Sequence, residues 1–317
     1  MEAEKQTILV ERQQAVHAPK KPFRLSREGL FILLCLMPAL LLVTVFTYYP
    51  LVKGAVMAFQ NYTLFDLTDI HFIGLENFIA VFTSPDFFTV ALNSFYWVAF
   101  SLVFQFILGF GLALLMRKRF RGRGLYQAMV FFPWAMSGFL IGLIWRWMFN
   151  AQFGVINDLL LKVGLIDAPI PFLADGTWAL ASVIIANIWY GVAFFAIMIL
   201  AALQSIPGEL YEAADMDGAS AWQQFRYITV PFIMPTLAVT ILLRVIWILN
   251  FPDIIISMTN GGPAGSTHIF STYMIDKVIF AQDYGQSSAI GIVIVLILLV
   301  FTVFYAKAMK VDKGADF

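Results

Sequence analysis

The stretch EAADMDGASAWQQFRYITVP, Glu212 to Pro231, is a polar, aromatic-studded segment held between two long apolar runs. Loops longer than about a dozen residues usually carry function rather than mere connection. Each flank is long and apolar enough to cross a bilayer, so the segment reads as a soluble element borne by a membrane protein. Composition agrees: hydrophobic residues make up 61% of the 317-residue chain and charged residues only 13%, which is a membrane composition rather than that of a soluble globule.

A bilayer core of about 30 Å needs about 20 apolar residues in a helix. Six runs reach that length, at about 30–50, 90–116, 125–149, 177–203, 232–256 and 287–307. None shows the alternating pattern of a membrane β-barrel. The expected fold is an all-α integral membrane protein, a bundle of six transmembrane helices over residues 30–307. Residues 1–29 and 308–317 form tails, and a helix–turn–helix loop occupies 204–231. Cys35, the single cysteine, lies in an apolar run and reads as a small buried hydrophobe.

Basic residues set the orientation. The tail 1–29 mixes Glu2, Glu4, Glu11 and Glu28 with Lys5, Arg12, Lys20, Lys21, Arg24 and Arg27; it is too long and too acidic for a secretory signal. Arg117, Lys118, Arg119, Arg121 and Arg123 follow the second run, and Lys307, Lys310 and Lys313 follow the last. The alternate connections hold only Lys53, Lys162 and Lys277. The positive-inside rule then places both termini, 117–124 and 204–231 in the cytoplasm. The aromatics of 51–89 (Phe72, Phe78, Phe82, Phe87, Phe88) suggest a short helix at the outer interface.

Within 204–231, Pro207 suits a first helical turn, and Glu209 and Glu212 favour its positive end. A helix over Pro207–Met216 is expected to end near Gly218. A second is expected over Ala219–Ile228, stopping before Pro231, with Trp222, Phe225 and Ile228 on one face.

These residues resemble a family. Glu212-Ala213-Ala214, then Gly218, then Ile228-Thr229-Val230-Pro231 is similar to the signature of permease subunits of binding-protein-dependent ABC importers; Val230 stands where leucine is usual. Met258 to Ile275 (MTNGGPAGSTHIFSTYMI) and the early FIGLENF resemble the sugar permeases of the maltose and glycerol-3-phosphate type. The resemblance covers nearly everything after residue 30. It implies a subunit moving a carbohydrate, from a monosaccharide derivative to an oligosaccharide, across the bacterial or archaeal cytoplasmic membrane. It implies four kinds of partner: a second, non-identical permease, two cytoplasmic ATP-binding subunits, a periplasmic or lipid-anchored solute-binding protein, and membrane lipid. ATP and Mg would be bound by the ATPase, with no cofactor on this chain. Glu212, Ala213, Ala214, Asp217, Gly218, Trp222, Phe225 and Pro231 would form the ATPase-coupling element: Glu212 pairs with a basic residue, Gly218 allows the turn, and Trp222 and Phe225 fill a cleft.

Ionisable residues at membrane depth are costly and need a reason. Arg244 lies near the middle of the fifth run, roughly 16–18 Å along it at the helical rise. Trp247, Asn250 and Asp253 recur at three-residue spacing and read as one face, with Pro252 kinking the run. Planar aromatic stacking with amides and carboxylates is what binds sugars, so this face, Arg244 and, in the fourth run, Asn187 and Tyr190 are candidate pathway residues. Arg244 equally suits a structural partner on a neighbouring helix, and raises the possibility of an anionic cargo. Arg146, with Trp145, Trp147 and Phe149, reads as an interfacial belt.

No GxxxxGK[ST] occurs, so P-loop ATP binding is excluded; the glycines of Gly261–Thr267 lack the lysine. The three histidines, His17, His71 and His268, lie outside the runs, and no acid pair shares a face within them, which argues against an intramembrane enzyme. A channel or secondary transporter is the other rival, and no convincing internal repeat supports it. The formal net charge is zero and no nucleic-acid partner is expected.

Overall fold

A computed structural model describes residues 27–118 and 120–309 of the chain. The tail before Arg27, Arg119, Lys310 and Lys313 lie outside the described residues, and with them much of the charge behind the expected orientation. The chain divides into two compact units, Met1–Lys53 and Gly54–Phe317.

In the first unit, α1 (Arg27–Val43) passes through a wide turn, Thr44–Tyr48, into α2 (Tyr49–Met57), whose end belongs to the second unit. Cys35 on α1 is exposed, not buried as expected. The stretch Leu30–Val43 of this helix is wholly apolar, and such a stretch needs no protein core when lipid is as apolar as a leucine side chain.

The second unit continues with α3 (Glu76–Thr83), α4 (Phe87–Arg117), α5 (Arg123–Phe131), α6 (Gly138–Met148), α7 (Val155–Lys162) and α8 (Gly176–Gln204). After these come α9 (Gly208–Met216), α10 (Ala221–Gln224), α11 (Val230–Leu249), α12 (Asp253–Met258), α13 (Phe270–Ile279) and α14 (Tyr284–Met309). Among the described residues the only β pairing is two isolated bridges, Gln60 with Phe72 and Thr63 with Asp283.

Five helical runs are long and apolar enough to cross a membrane: Leu30–Met57, Phe87–Arg117, Gly176–Gln204, Ala221–Met258 and Tyr284–Met309. The expected third span is different. In place of one helix over 125–149, Arg123–Ala135 and Gly138–Met148 meet at 100°. Pro133 brings a short 3-10 turn, and Ser137 caps α6 by accepting from the Leu140 N–H at 3.3 Å. A helix breaker followed four residues later by a good N-cap ends one helix and starts another.

Small residues let the long helices approach closely, as they do where lipid supplies no hydrophobic drive between helices. Gly109 of α4 lies against Phe195 and the Val192 carbonyl of α8, and Gly142 of α6 lies against Ser257 and Ile254 of α12, leaving no room for a Cβ at either. The expected kink at Pro252 is a full break between α11 and α12. Proline has no N–H for the Ile248 carbonyl four residues back. The indole Nε1 of Trp97, wholly buried on α4, donates to that carbonyl at 2.8 Å and ties α4 to the break.

Candidate functional site

Two sites take shape, a surface hairpin and a half-open cavity lined by polar and aromatic side chains. The hairpin begins where α9 follows Pro207. Gly218, with φ +73°, closes α9 in the left-handed region: the Ala219 N–H donates to Ala214 O at 2.9 Å and the Gly218 N–H to Asp215 O at 3.1 Å. This is the paired-bond stop that glycine allows without strain. The second helix starts two residues later than expected, at Ala221. Ser220 and Gln223 cap each other's backbone N–H groups at 3.4 and 2.7 Å, a reciprocal pair that the Ser220…Gln223 spacing could have signalled.

That helix does not stop before Pro231. The wide turn Phe225–Thr229 carries α10 directly into α11, placing Pro231 in the first turn of α11, where a missing N–H is tolerated. The hairpin is therefore rooted in a membrane-length run of helix that continues from Ala221 to Leu249. The Tyr211 hydroxyl lies 2.9 Å from that of Thr229, and the Arg117 guanidinium sits 4.4 Å from the centre of the Tyr211 ring, fixing α9 to α11 and to the end of α4.

Glu212, Ala213, Asp217, Gly218 and Pro231 are exposed, and Ala214 is half-buried. The two aromatics expected on one face stack on each other and differ in exposure. Trp222 is 66% exposed. Phe225 is half-buried beneath it, 5.6 Å from the Trp222 ring and edge-on to Phe110 of α4 at 6.1 Å. Phe225 thus packs the hairpin onto its own chain and leaves Trp222 as the outward aromatic.

The second site is a cavity of about 450 Å³ lined by Trp134, Asn187, Tyr190, Arg244, Trp247, Ile248, Asn250 and Phe251. It gathers five of the six candidate pathway residues. Asp253 is not among them: the break at Pro252 turns it out of register with Trp247 and Asn250, and it stands exposed at the start of α12. Asn250 ends α11 and donates back to Ile246 O at 3.0 Å. The rings of Tyr190 and Phe251 stack at 5.2 Å, and Trp247 lies 5.1 Å from Phe194.

Beneath the cavity is a buried polar relay that sequence reasoning missed. Gln105 of α4 accepts from Arg244 Nε at 2.7 Å and donates through Nε2 to Asn187 O at 2.8 Å. Asn187 Nδ2 donates to Ser101 Oγ at 2.8 Å. Gly191 leaves the space for this crossing, since a Cβ there would run into Arg244 Nη2 and the Gln105 amide. A lone glutamine inside the run 90–116 was the available signal.

The loop 258–269 is folded rather than loose. Asn93 Nδ2 donates to Ser266 O and His268 O at 2.9 and 3.1 Å, and Thr267, wholly buried, bonds Thr259 and Gly262 at 2.8 and 2.9 Å. Burial pushes the His268 pKa below its ordinary 6.5, with Asp276 and Asp86 opposing. Arg146 does not simply join a belt: with Asn150, Gln152, Thr259 and Pro263 it lines a pocket of about 470 Å³, while Phe149 is buried against Phe172.

Comparison with known proteins gives the family of this helical membrane protein. Residues 105–310 match the family described as binding-protein-dependent transport system inner membrane component. The chain is 35% identical over 283 residues to the trehalose/maltose transport system permease protein MalF of Thermococcus litoralis, covering 89% of this chain and 94% of that protein. It is 33% identical over 283 residues to the sulfoquinovosyl glycerol transport system permease protein SmoG of Agrobacterium fabrum, covering 89% and 91%. Among solved structures, a bacterial ABC transporter involved in the import of the acidic polysaccharide alginate has a chain 28% identical, with a TM-score of 0.78 over 90% of this chain and 96% of that one. The chain belongs to the family of binding-protein-dependent transport system inner membrane components. It is a multi-pass permease subunit, not an enzyme.

Proposed function

We propose that this chain, paired with a second, non-identical permease, forms the path by which a carbohydrate released from a periplasmic or lipid-anchored binding protein reaches the cytoplasm. Two ATP-binding subunits on the cytoplasmic side bind ATP and Mg and drive the change from inward-open to outward-open; no cofactor is held by this chain. Both termini and residues 204–231 lie in the cytoplasm in this reading. The names of the relatives support the cargo class, since MalF, SmoG and the alginate transporter all serve saccharides or their derivatives.

The observation that carries the reading is the hairpin itself. It is stiffened by a glycine stop, a reciprocal cap and the Tyr211–Thr229 contact, yet exposes Glu212, Asp217 and Trp222. A rigid projection with an outward aromatic and acidic flanks suits a protein cleft, where buried aromatics anchor interfaces. Its rooting in the continuous helix from Ala221 to Leu249 lets force applied to Trp222 reach the cavity lined by Trp247 and Asn250. Reconstitution with the cognate ATPase, binding protein and second permease tests this: Glu212→Lys is expected to leave assembly of the membrane subunits intact while ATP hydrolysis no longer drives uptake. Full transport by that variant overturns the coupling role.

A further inference from the structure

Among the described residues the guanidinium of Arg244 has no carboxylate in ion-pair contact. It is 3% exposed, and its single protein hydrogen bond among the described residues goes from Nε to the neutral amide of Gln105. No described carboxylate forms an ion pair with it, the recorded pairs being Asp69–His71, Asp158–Lys162 and Asp276–His268. The rings of Tyr190 and Phe194, 6.0 and 5.5 Å from its Cζ, attract it through their π faces but supply no negative charge. Buried charges are ordinarily paired with an opposite charge.

Arg244 is among the residues that line the 450 Å³ cavity, and among the described residues no acid lines it. Asn187 lines it too, and its buried Oδ1 has no donor among the described residues. Gln105 engages Nε alone, which leaves the two terminal nitrogens of the guanidinium without a protein acceptor among the described residues. A guanidinium fork matches a carboxylate or sulfonate bidentately. The orphan acceptor suits a hydroxyl, and the faces of Tyr190 and Trp247 suit a sugar ring. Donor fork, acceptor and aromatic face together complement one ligand type.

We propose that this cavity binds an acidic saccharide, its carboxylate or sulfonate held by Arg244 and a neighbouring hydroxyl by Asn187. The inference rests on the carbohydrate-import reading above and adds the charge of the cargo. A neutral sugar would leave the guanidinium buried and unpaired, the situation in which a polar site rejects an analogue strongly.

Cells carrying the whole transporter, and cells lacking only this chain, are given a mixture of neutral and acidic oligosaccharides from starch, chitin, pectin and alginate. Depletion of the medium is followed by anion-exchange chromatography. The expected result is transporter-dependent loss of an acidic species. Loss of neutral species alone overturns this inference and leaves carbohydrate import standing; loss of none overturns both. In proteoliposomes holding the complete complex, uptake of the depleted acidic saccharide is expected to fall at least tenfold with Arg244→Gln and less with Arg244→Lys, at equal yield of complex. Equal uptake by Arg244→Gln overturns the assignment. Should that variant fail to assemble, the uncharged methyl ester or amide of the same saccharide is expected to compete at least tenfold more weakly against the wild type; equal competition overturns it.

Discussion

Arg244 on α11 and Gln105 on α4 lie 139 residues apart in the chain and meet through a 2.7 Å hydrogen bond in the buried interior. That contact holds a cation at the floor of the polar cavity and joins α11 to α4 at the level where α8 crosses both.

Removing the acceptor exposes the cost of that cation. Gln105→Ala strips Arg244 of its hydrogen-bonding partner and is expected to destabilise the protein by about 1–3 kcal/mol. A lowered melting temperature of the purified complex checks this. An unchanged one would mean that Arg244 re-pairs elsewhere.

Gly191→Ala is expected to disturb the same crossing, because the added methyl meets Arg244 and Gln105. Overpacking of this kind costs about 1–3 kcal/mol, and uptake should fall with it. Gly124→Ala is the control: at Gly124 a Cβ meets nothing within 4 Å, and neither stability nor uptake should change.

Trp222 and Phe225 are neighbours with different expected effects. Trp222→Ala removes an exposed ring and should leave thermal stability unchanged while weakening coupling of ATP hydrolysis to uptake. Phe225→Ala removes the contact with Phe110 and should lower stability by about 1–3 kcal/mol, less than the loss of a fully buried phenylalanine. Equal stability in the two variants would contradict the division of labour.

His268 makes the loop 258–269 sensitive to acid. Its folded-state pKa lies below the ordinary 6.5, burial outweighing Asp276 and Asp86. Below that ordinary value the unfolded chain takes up a proton that the folded chain resists, so stability is complete above about pH 6.5 and declines as pH falls toward the lowered pKa. Melting temperatures between pH 7.5 and 5 should show this slope, and His268→Gln should flatten it.

Much of the architecture is legible in the chain because its signals are local. Apolar length sets the long helices, glycine at 218 sets the turn that requires positive φ, and Pro252 marks a break in the fifth run. The 100° bend at Met136–Ser137 was legible only in part. Hydropathy continues across Pro133–Gly138, and the competing signal was a proline followed by a serine cap. The join of α10 to α11 was hidden for the opposite reason: Pro231 looks like a terminator, but a wide turn ahead of it moves it to a helix start.

The sequence alone determined that this is an all-helical membrane chain, which residues form its polar hairpin, and which side chains at membrane depth required an explanation. Hydropathy, capping and helix breaking act over a few residues, so they can be read from neighbours. Only the tertiary structure decided that Phe225 packs inward, that Asp253 leaves the cavity, and that Gln105, Ser101, Asn187 and Arg244 meet. Those outcomes depend on helices far apart in the chain coming within hydrogen-bond distance. That approach is set by glycines whose missing side chains matter only once the opposing helix is in place.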